Sequence, residues 1–362
     1  ASLVLYTTPF RIDWYFSGKE EFGYITFRSL VIKALSVILL FLLVHKKEDL
    51  LLYVALNAGC QTLNELWNYV KLYKSGIHPY FTLSGTRHIK PLLILFSSSI
   101  AISIYTILDT LMLGFMTNYE EVGYYNCATH ISKALLPIVT SLAAVALPRV
   151  AQLKDSGNWE EINVLMNKSF SIVSFLSFPI AFGVIAIAPV FTPLFFGEQY
   201  HGTILPLQII ILTVVAIGFN NLTGVQILLG FGFDKLFLYS ILSGACANFV
   251  LNLMLIPQYG ASGAAAASVI AEILILSVML YFVYQHTPIH FTKNGEWFVN
   301  VLLSLSFLGV AHLVSLFQKG WWFIVVTTFL CASAYIIIQY LLKNSSVGLL
   351  TNSVKLKFKN RH

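Results

Sequence analysis

Runs of roughly twenty apolar residues recur along the whole chain, separated by short polar breaks, and no other feature limits the fold so tightly. A helix needs about 20 residues to cross the ~30 Å hydrocarbon core of a bilayer. The runs fall at 25–44, 50–70, 91–115, 122–147, 169–189, 203–229, 236–256, 261–285, 296–316 and 321–342, and residues 1–10 read as the tail of an earlier helix. They are continuous rather than alternating, so barrel strands are excluded and helices remain. Composition agrees: 57% of residues are hydrophobic and 10% charged, whereas a soluble domain carries about 25% charged residues to cover itself with water. The expected fold class is an all-α polytopic membrane protein of about ten transmembrane helices.

Basic residues set the orientation, because cytoplasmic loops collect Lys and Arg. Alternating the breaks between two sides puts seventeen of the 22 Lys and Arg on one side and three (Lys46, Lys47, Lys319) on the other, with Lys33 and Lys133 inside spans. The crowded side, with the C-terminal tail KLKFKNRH, is expected to be cytoplasmic. Residues 71–90, with Gly76 and Pro79, read as a linker on that side. Residues 148–168 start at Pro148, break at Asp155 to Asn158, and resume with Ile162, Leu165 and Met166, which predicts a short amphipathic helix on the membrane face. The opening at Ala1, with neither an initiator Met nor a charged n-region, predicts a fragment without a signal peptide. Cys60, Cys127, Cys246 and Cys331 lie in apolar runs without metal or disulfide spacing and read as packing residues.

Polar side chains inside the spans carry the functional signal, since each costs several kcal/mol in hydrocarbon unless paired or wet. Asn57, Gln61, Asn64, Glu65 and Asn68 recur at steps of three and four, on one face of the second span. That stripe lines either a hydrated cavity or a hydrogen-bonded seam. Asp109, in TILDTLMLG, reads as an interfacial group, a helix clasp or an ion site. Lys133 lies about 12 residues, or roughly 18 Å, into its span, too deep to snorkel easily, with His130 on the adjacent turn. It is expected to contact an anion in a cavity or to pair with Asp109. Lys33, near Arg28, snorkels as readily as it functions. Glu272, Asn248, Asn252, Asn220, Asn221 and Gln226 are of the kinds that join helices. Small residues from Gly260 to Ser268 predict close helix packing. Phosphate-binding loops, HExxH and nucleophile elbows are absent, so no catalytic residue is expected.

Four stretches, in order, resemble bacterial polysaccharide flippases: IDWYFSGKEEFGYITFRS (12–29), ILDTLMLGFMTNYEEVGYYNCA (107–128), PLFFGEQY (193–200) and IPQYGASGAAAASVIAE (256–272). The chain is similar to Wzx-type O-antigen flippases, in the superfamily that also holds MATE multidrug exporters and the lipid II flippase. The resemblance implies two six-helix lobes around a central cavity. It places residues 1–70 at the end of an incomplete first lobe, 91–285 in the second lobe, 286–342 in two additional helices and 343–362 in a basic tail. The first four or so helices of that pattern precede Ala1. The implied location is the bacterial inner membrane, and the implied substrate an undecaprenyl-pyrophosphate-linked oligosaccharide for O-antigen or lipopolysaccharide assembly. The implied protein partners are a polymerase and a chain-length regulator. On this pattern Asn57, Gln61, Asn64, Glu65, Asn68, His130 and Lys133 would line the substrate cavity. Glu65, Asp109 and Glu272 would couple to a proton or Na⁺ gradient, without other cofactor and without nucleic acid. Two readings compete: a MATE-type exporter, which would favour acidic cavity residues, and a membrane enzyme such as a polymerase, which usually carries a long periplasmic loop.

Overall fold

The computed structural model describes residues 11–46, 49–76, 86–155, 157–291, 295–342 and 344. Residues 1–10, the middle of the predicted linker and nearly all of the basic tail lie outside them. The described residues are almost entirely helical, and the protein is a multi-pass membrane protein. It divides into two compact units, 1–87 and 88–362.

The first unit holds α1 (Asp13–Gly18), α2 (Phe22–Leu43) and α3 (Leu50–Lys74). The short α1 packs on α2, and α2 packs along α3. The second unit begins in α4 (Thr86–Met116) and continues through α5 (Tyr119–Asp155) and α6 (Trp159–Phe196). A composite span then runs from a 3₁₀ segment (Glu198–Thr203) through α7 (Ile204–Ile210), α8 (Thr213–Asn220) and a π-helical segment (Asn221–Leu229). The long α9 (Asp234–His286), α10 (Glu296–Ser315) and α11 (Gly320–Leu341) complete it.

The 53 residues of α9 are two crossings, because Gly260 breaks the helix with φ 52° and ψ −130°. The limbs 234–259 and 261–286 fold back on each other: Gly244 lies against Ile275, and Gly263 against the Leu255 carbonyl. Glycine at these two points lets the limbs approach where a Cβ would have no room. Counting each limb, ten long helical segments among the described residues correspond to the ten apolar runs. Hydropathy and length alone pick out seven elements, with α9 counted once, and pass over α3 and α5, the helices with polar stripes.

Two expected boundaries move. Helix α5 continues through Pro148 to Asp155, and α6 begins at Trp159, where the Asn158 side chain accepts from the Glu161 N–H. The segment 159–168 is therefore the opening of α6 rather than a separate surface helix. Its apolar face, Ile162 and Met166, is buried against Val150, Leu153 and Leu222 in the main core. Within the predicted linker, α3 runs on to Lys74 and α4 starts at Thr86, leaving a shorter break.

The two last helices attach to α6 through buried amides. Asn300 Nδ2 donates to Ser174 Oγ at 2.9 Å, Gln339 Nε2 donates to Asn300 Oδ1 at 2.5 Å, and Tyr335 OH donates to the Phe175 carbonyl at 3.0 Å. Hydrogen bonds of this kind substitute for the hydrophobic drive that lipid does not supply.

Candidate functional site

A cavity of about 380 Å³ lies in the second unit, within the usual range for ligand sites. Helix α5 lines it with Tyr125, Asn126, Thr129, Ser132, Lys133 and Leu136, spaced three and four apart so that they share one face. Opposite stand Thr213 and Asn220 from α8, Asn221 and Val225 from the π segment, and Ser268 and Glu272 from the second limb of α9. Asp109 on α4 closes one side. Asp109, Lys133 and Glu272, far apart in sequence, thus meet at one cavity.

Asp109 is 2% exposed and held by neutral donors. Tyr125 OH donates to Oδ2 at 2.7 Å, Ser268 Oγ donates to Oδ2 at 2.7 Å, and Asn252 Nδ2 donates to Oδ1 at 2.6 Å. Asn252 Nδ2 also reaches Asn248 Oδ1 at 3.1 Å. The carboxylate therefore ties α4 to α5 and to both limbs of α9. Met112 and Leu113 of α4 are buried in the same region, in a cluster with Tyr125, Ala128, Ile256 and Ala261. Glu272, 5% exposed, accepts from Asn220 Nδ2 on Oε2 at 2.7 Å.

Lys133 opens onto the cavity and forms no ion pair with Asp109 or Glu272 among the described residues. Its expected partner His130 is exposed and is not on the wall, since residue 130 falls beyond the arc spanned by 125, 129, 132 and 136.

The predicted stripe on α3 belongs to the first unit and divides along its length. Asn57 is exposed and donates to its own helix at the Tyr53 carbonyl, 2.9 Å away, and Gln61 and Asn64 are half-buried. Glu65 and Asn68 are buried under α1 and α2. Asn68 Nδ2 donates to Asp13 Oδ1 at 2.8 Å and its Oδ1 accepts from Arg28, while Arg11 lies 3.6 Å from Glu65. Arg28, 1% exposed, also donates to Asp13 Oδ1 at 2.8 Å. The sequence counts Arg28 among the basic residues of the crowded side and gives Asp13 no signal of its own; their buried pairing depends on α1 folding back. Burial opposes ionisation of Asp13, but the hydrogen bonds from Asn68 and Arg28 and the nearby guanidinium charges outweigh it and hold the carboxyl below its ordinary value.

The resemblance motifs also come together within the second unit. Glu121, in YEEVGYY, accepts from the Ala261 N–H at 2.6 Å, capping the second limb of α9 beside Gly260 of the PQYGA turn. Tyr124 packs on Gly202 and stands edge-on to Tyr200, 6.3 Å between ring centroids, at the end of FFGEQY.

The family described as polysaccharide biosynthesis protein matches residues 2–154. An Escherichia coli K12 protein named as an O-antigen transporter is 23% identical over 75% of this chain and 66% of its own length. The lipopolysaccharide biosynthesis protein WzxC of the same organism is 25% identical over 73% of this chain and 54% of its own. The chain thus spans between half and two thirds of these relatives. In structure it is similar to an inward closed conformation of the lipid II flippase MurJ, with a TM-score of 0.62 over 85% of this chain and 65% of that one, at 18% identity. That likeness concerns the fold.

Proposed function

We propose that the chain is a flippase of the Wzx type, as its likeness to the polysaccharide biosynthesis family and to the O-antigen transporter and WzxC supports, and that it serves to move polyprenyl-diphosphate-linked oligosaccharide units across the bacterial inner membrane. The observation that carries the reading is Lys133 facing the cavity beside Asn126, Thr129, Ser132 and Asn221 on an otherwise largely apolar wall, with no ion pair among the described residues. A saccharide headgroup has hydroxyls for Asn126, Thr129 and Asn221 and an anionic group for the ammonium. Its polyprenyl tail needs no polar wall and stays in lipid. Translocation breaks no bond, so the wall requires no nucleophile or general base.

The first unit is the end of one lobe and the second unit the other lobe with two added helices. Glu65 and Asn68 take part in fixing α1 rather than in contacting substrate. Asp109 is the coupling carboxylate for a proton or Na⁺, because its three donors join three helices and a cation there would compete with them. The tail and basic loops face the cytoplasm, and product passes to a polymerase and chain-length regulator on the other side.

Deleting the full gene is expected to leave lipid-linked repeat units on the cytoplasmic face. In the full-length protein Lys133→Ala abolishes surface polysaccharide while the protein still inserts, and Lys133→Arg keeps part of it. A fully active alanine variant refutes the anion contact, and efflux of ethidium-like dyes by the intact protein favours a multidrug exporter instead.

A further inference from the structure

The composite span and the second limb of α9 each line two cavities. Asn221 and Val225 of the π segment, with Glu272 and Met279 of α9, face the cavity of Lys133. Phe219, Leu222 and Thr223, with Leu276 and Leu280, line another, also of about 380 Å³. The same two elements therefore form a wall between the two spaces.

Aromatic rings make up much of the second lining: Phe170 and Phe178 of α6, Phe219, Phe291 and Trp297. The Phe170 centroid lies 5.0 Å from that of Phe219 and 5.3 Å from that of Phe291. Aromatic side chains turn about only two bonds, so a wall of them keeps its shape. The one hydroxyl of the lining, Thr223 Oγ1, donates to its own helix at the Phe219 carbonyl, 2.9 Å away. Water finds little to bond in such a space, and leaving it open forfeits dispersion contacts, so its fitting occupant is hydrocarbon.

One end of this cavity carries a polar collar. Asn163 Nδ2 donates to the Pro288 carbonyl at 3.3 Å, Asn167 Nδ2 donates to the His290 carbonyl at 3.1 Å, and the His290 N–H donates to Asn163 Oδ1 at 3.1 Å. That clamp carries Phe291 onto Phe170. Ser171 Oγ donates to Glu296 Oε2 at 3.2 Å, which sets Trp297 beside them. Lys168, on the same turn of α6 as Asn167 and Ser171, is exposed and forms no ion pair among the described residues.

We propose that this second cavity binds one acyl chain of an anionic phospholipid, whose phosphate lies against Lys168. The charges are complementary, since a phosphodiester brings the negative partner this ammonium lacks. Trp297, in the first turn of α10, stands where indoles mark the boundary between hydrocarbon and headgroups. A chain so placed lies behind the π segment and supports it from the side away from Lys133. The site rests on the lipid setting of the chain and not on what the chain transports.

The purified full chain is transferred from bilayers of phosphatidylglycerol and phosphatidylcholine in equal parts into lipid-free detergent, and adducts are counted by native mass spectrometry. One phospholipid per chain is expected to stay, with phosphatidylglycerol favoured about fivefold. Leu276→Trp, which fills the cavity, is expected to lose it, and Lys168→Ala to keep a phospholipid without preference between the two. A wild type that retains none, a Leu276→Trp variant that retains as much, or a polyprenyl lipid in its place overturns the proposal. A preference kept by Lys168→Ala refutes the phosphate contact. Should Leu276→Trp fail to elute as a monodisperse species, benzoyl-phenylalanine at position 280 decides. It must crosslink a phospholipid after the transfer, while the same group at the exposed position 273 must not; no crosslink at 280 refutes the site. Stripping the lipid from wild type is expected to speed hydrogen exchange of amides 221–229 about tenfold, and unchanged exchange refutes the support of the π segment. If Lys133→Ala proves fully active while the phospholipid stays bound, the substrate reading fails and the lipid site stands.

Discussion

Gly260 concentrates several constraints in one residue. Its φ of 52° with ψ −130° is open to glycine, and a Cβ would fall on the Glu121 carboxylate that caps Ala261. Gly260→Ala is expected to destabilise by about 2 kcal/mol, read as a lower melting temperature in detergent. Asp13 makes a pH-dependent contribution. Its folded carboxyl binds a proton less readily than the unfolded one, so its stabilisation is complete above the ordinary value of 3.8 and is lost as pH falls through the lowered folded value. Unfolding of wild type and Asp13→Asn, measured from pH 7 downward, should converge in acid. Legibility at this scale follows the source of each signal. Lys133 and Asp109 stand out in the sequence because hydrocarbon makes any isolated charge conspicuous. The polar arc Asn126, Thr129 and Ser132 around Lys133 was equally periodic, but hydroxyls and amides are common enough in helices to pass unnoticed. Asp13 and Arg28 were unreadable, since only the return of α1 removes them from water.

Elements were easier to place than their deviations. Each of the ten apolar runs corresponds to a helical segment among the described residues, because twenty apolar residues leave a chain in lipid no choice but helix. Only Pro148 misled as a boundary: it lies inside α5 with Pro137, while Pro179, Pro189 and Pro193 lie inside α6. Neighbouring helices can re-satisfy the carbonyls that proline frees. The π segment gave no warning either: Gly224 within it packs on Met279 and Phe237, and Asn220 before it donates to Glu272, all partners distant in sequence. The attachment of α10 and α11 to α6 depends on amides spread over residues 174 to 339. Asn300→Ala would strand Ser174 and Gln339 and is expected to cost about 1–3 kcal/mol, seen as earlier proteolytic release of the last two helices on heating.

For the whole molecule the governing quantity is the distribution of charge. A net +6 is modest, but its concentration in alternate breaks predicts orientation. A fluorescent protein fused after His362 should therefore fluoresce, and alkaline phosphatase inserted between Phe196 and Glu198 should be active; the reverse pair of results would invert the topology. Bulk hydropathy told what surrounds the chain, and the four stretches carried the likeness to polysaccharide flippases. Neither revealed that three of those stretches touch, at Glu121, Tyr200 and Gly260.

The junction at Asp109 has a consequence for biosynthesis. Its carboxylate leaves the ribosome 143 residues before Asn252 and 159 before Ser268. At about 5–20 residues per second, that interval is on the order of ten to thirty seconds. Throughout it, α4 holds a carboxylate with only Tyr125 of its three donors yet made, and hydrocarbon tolerates such a group poorly. Helix α4 must therefore linger in the insertion machinery, or sit shallow beside it, until the paired limbs of α9 emerge and let it settle.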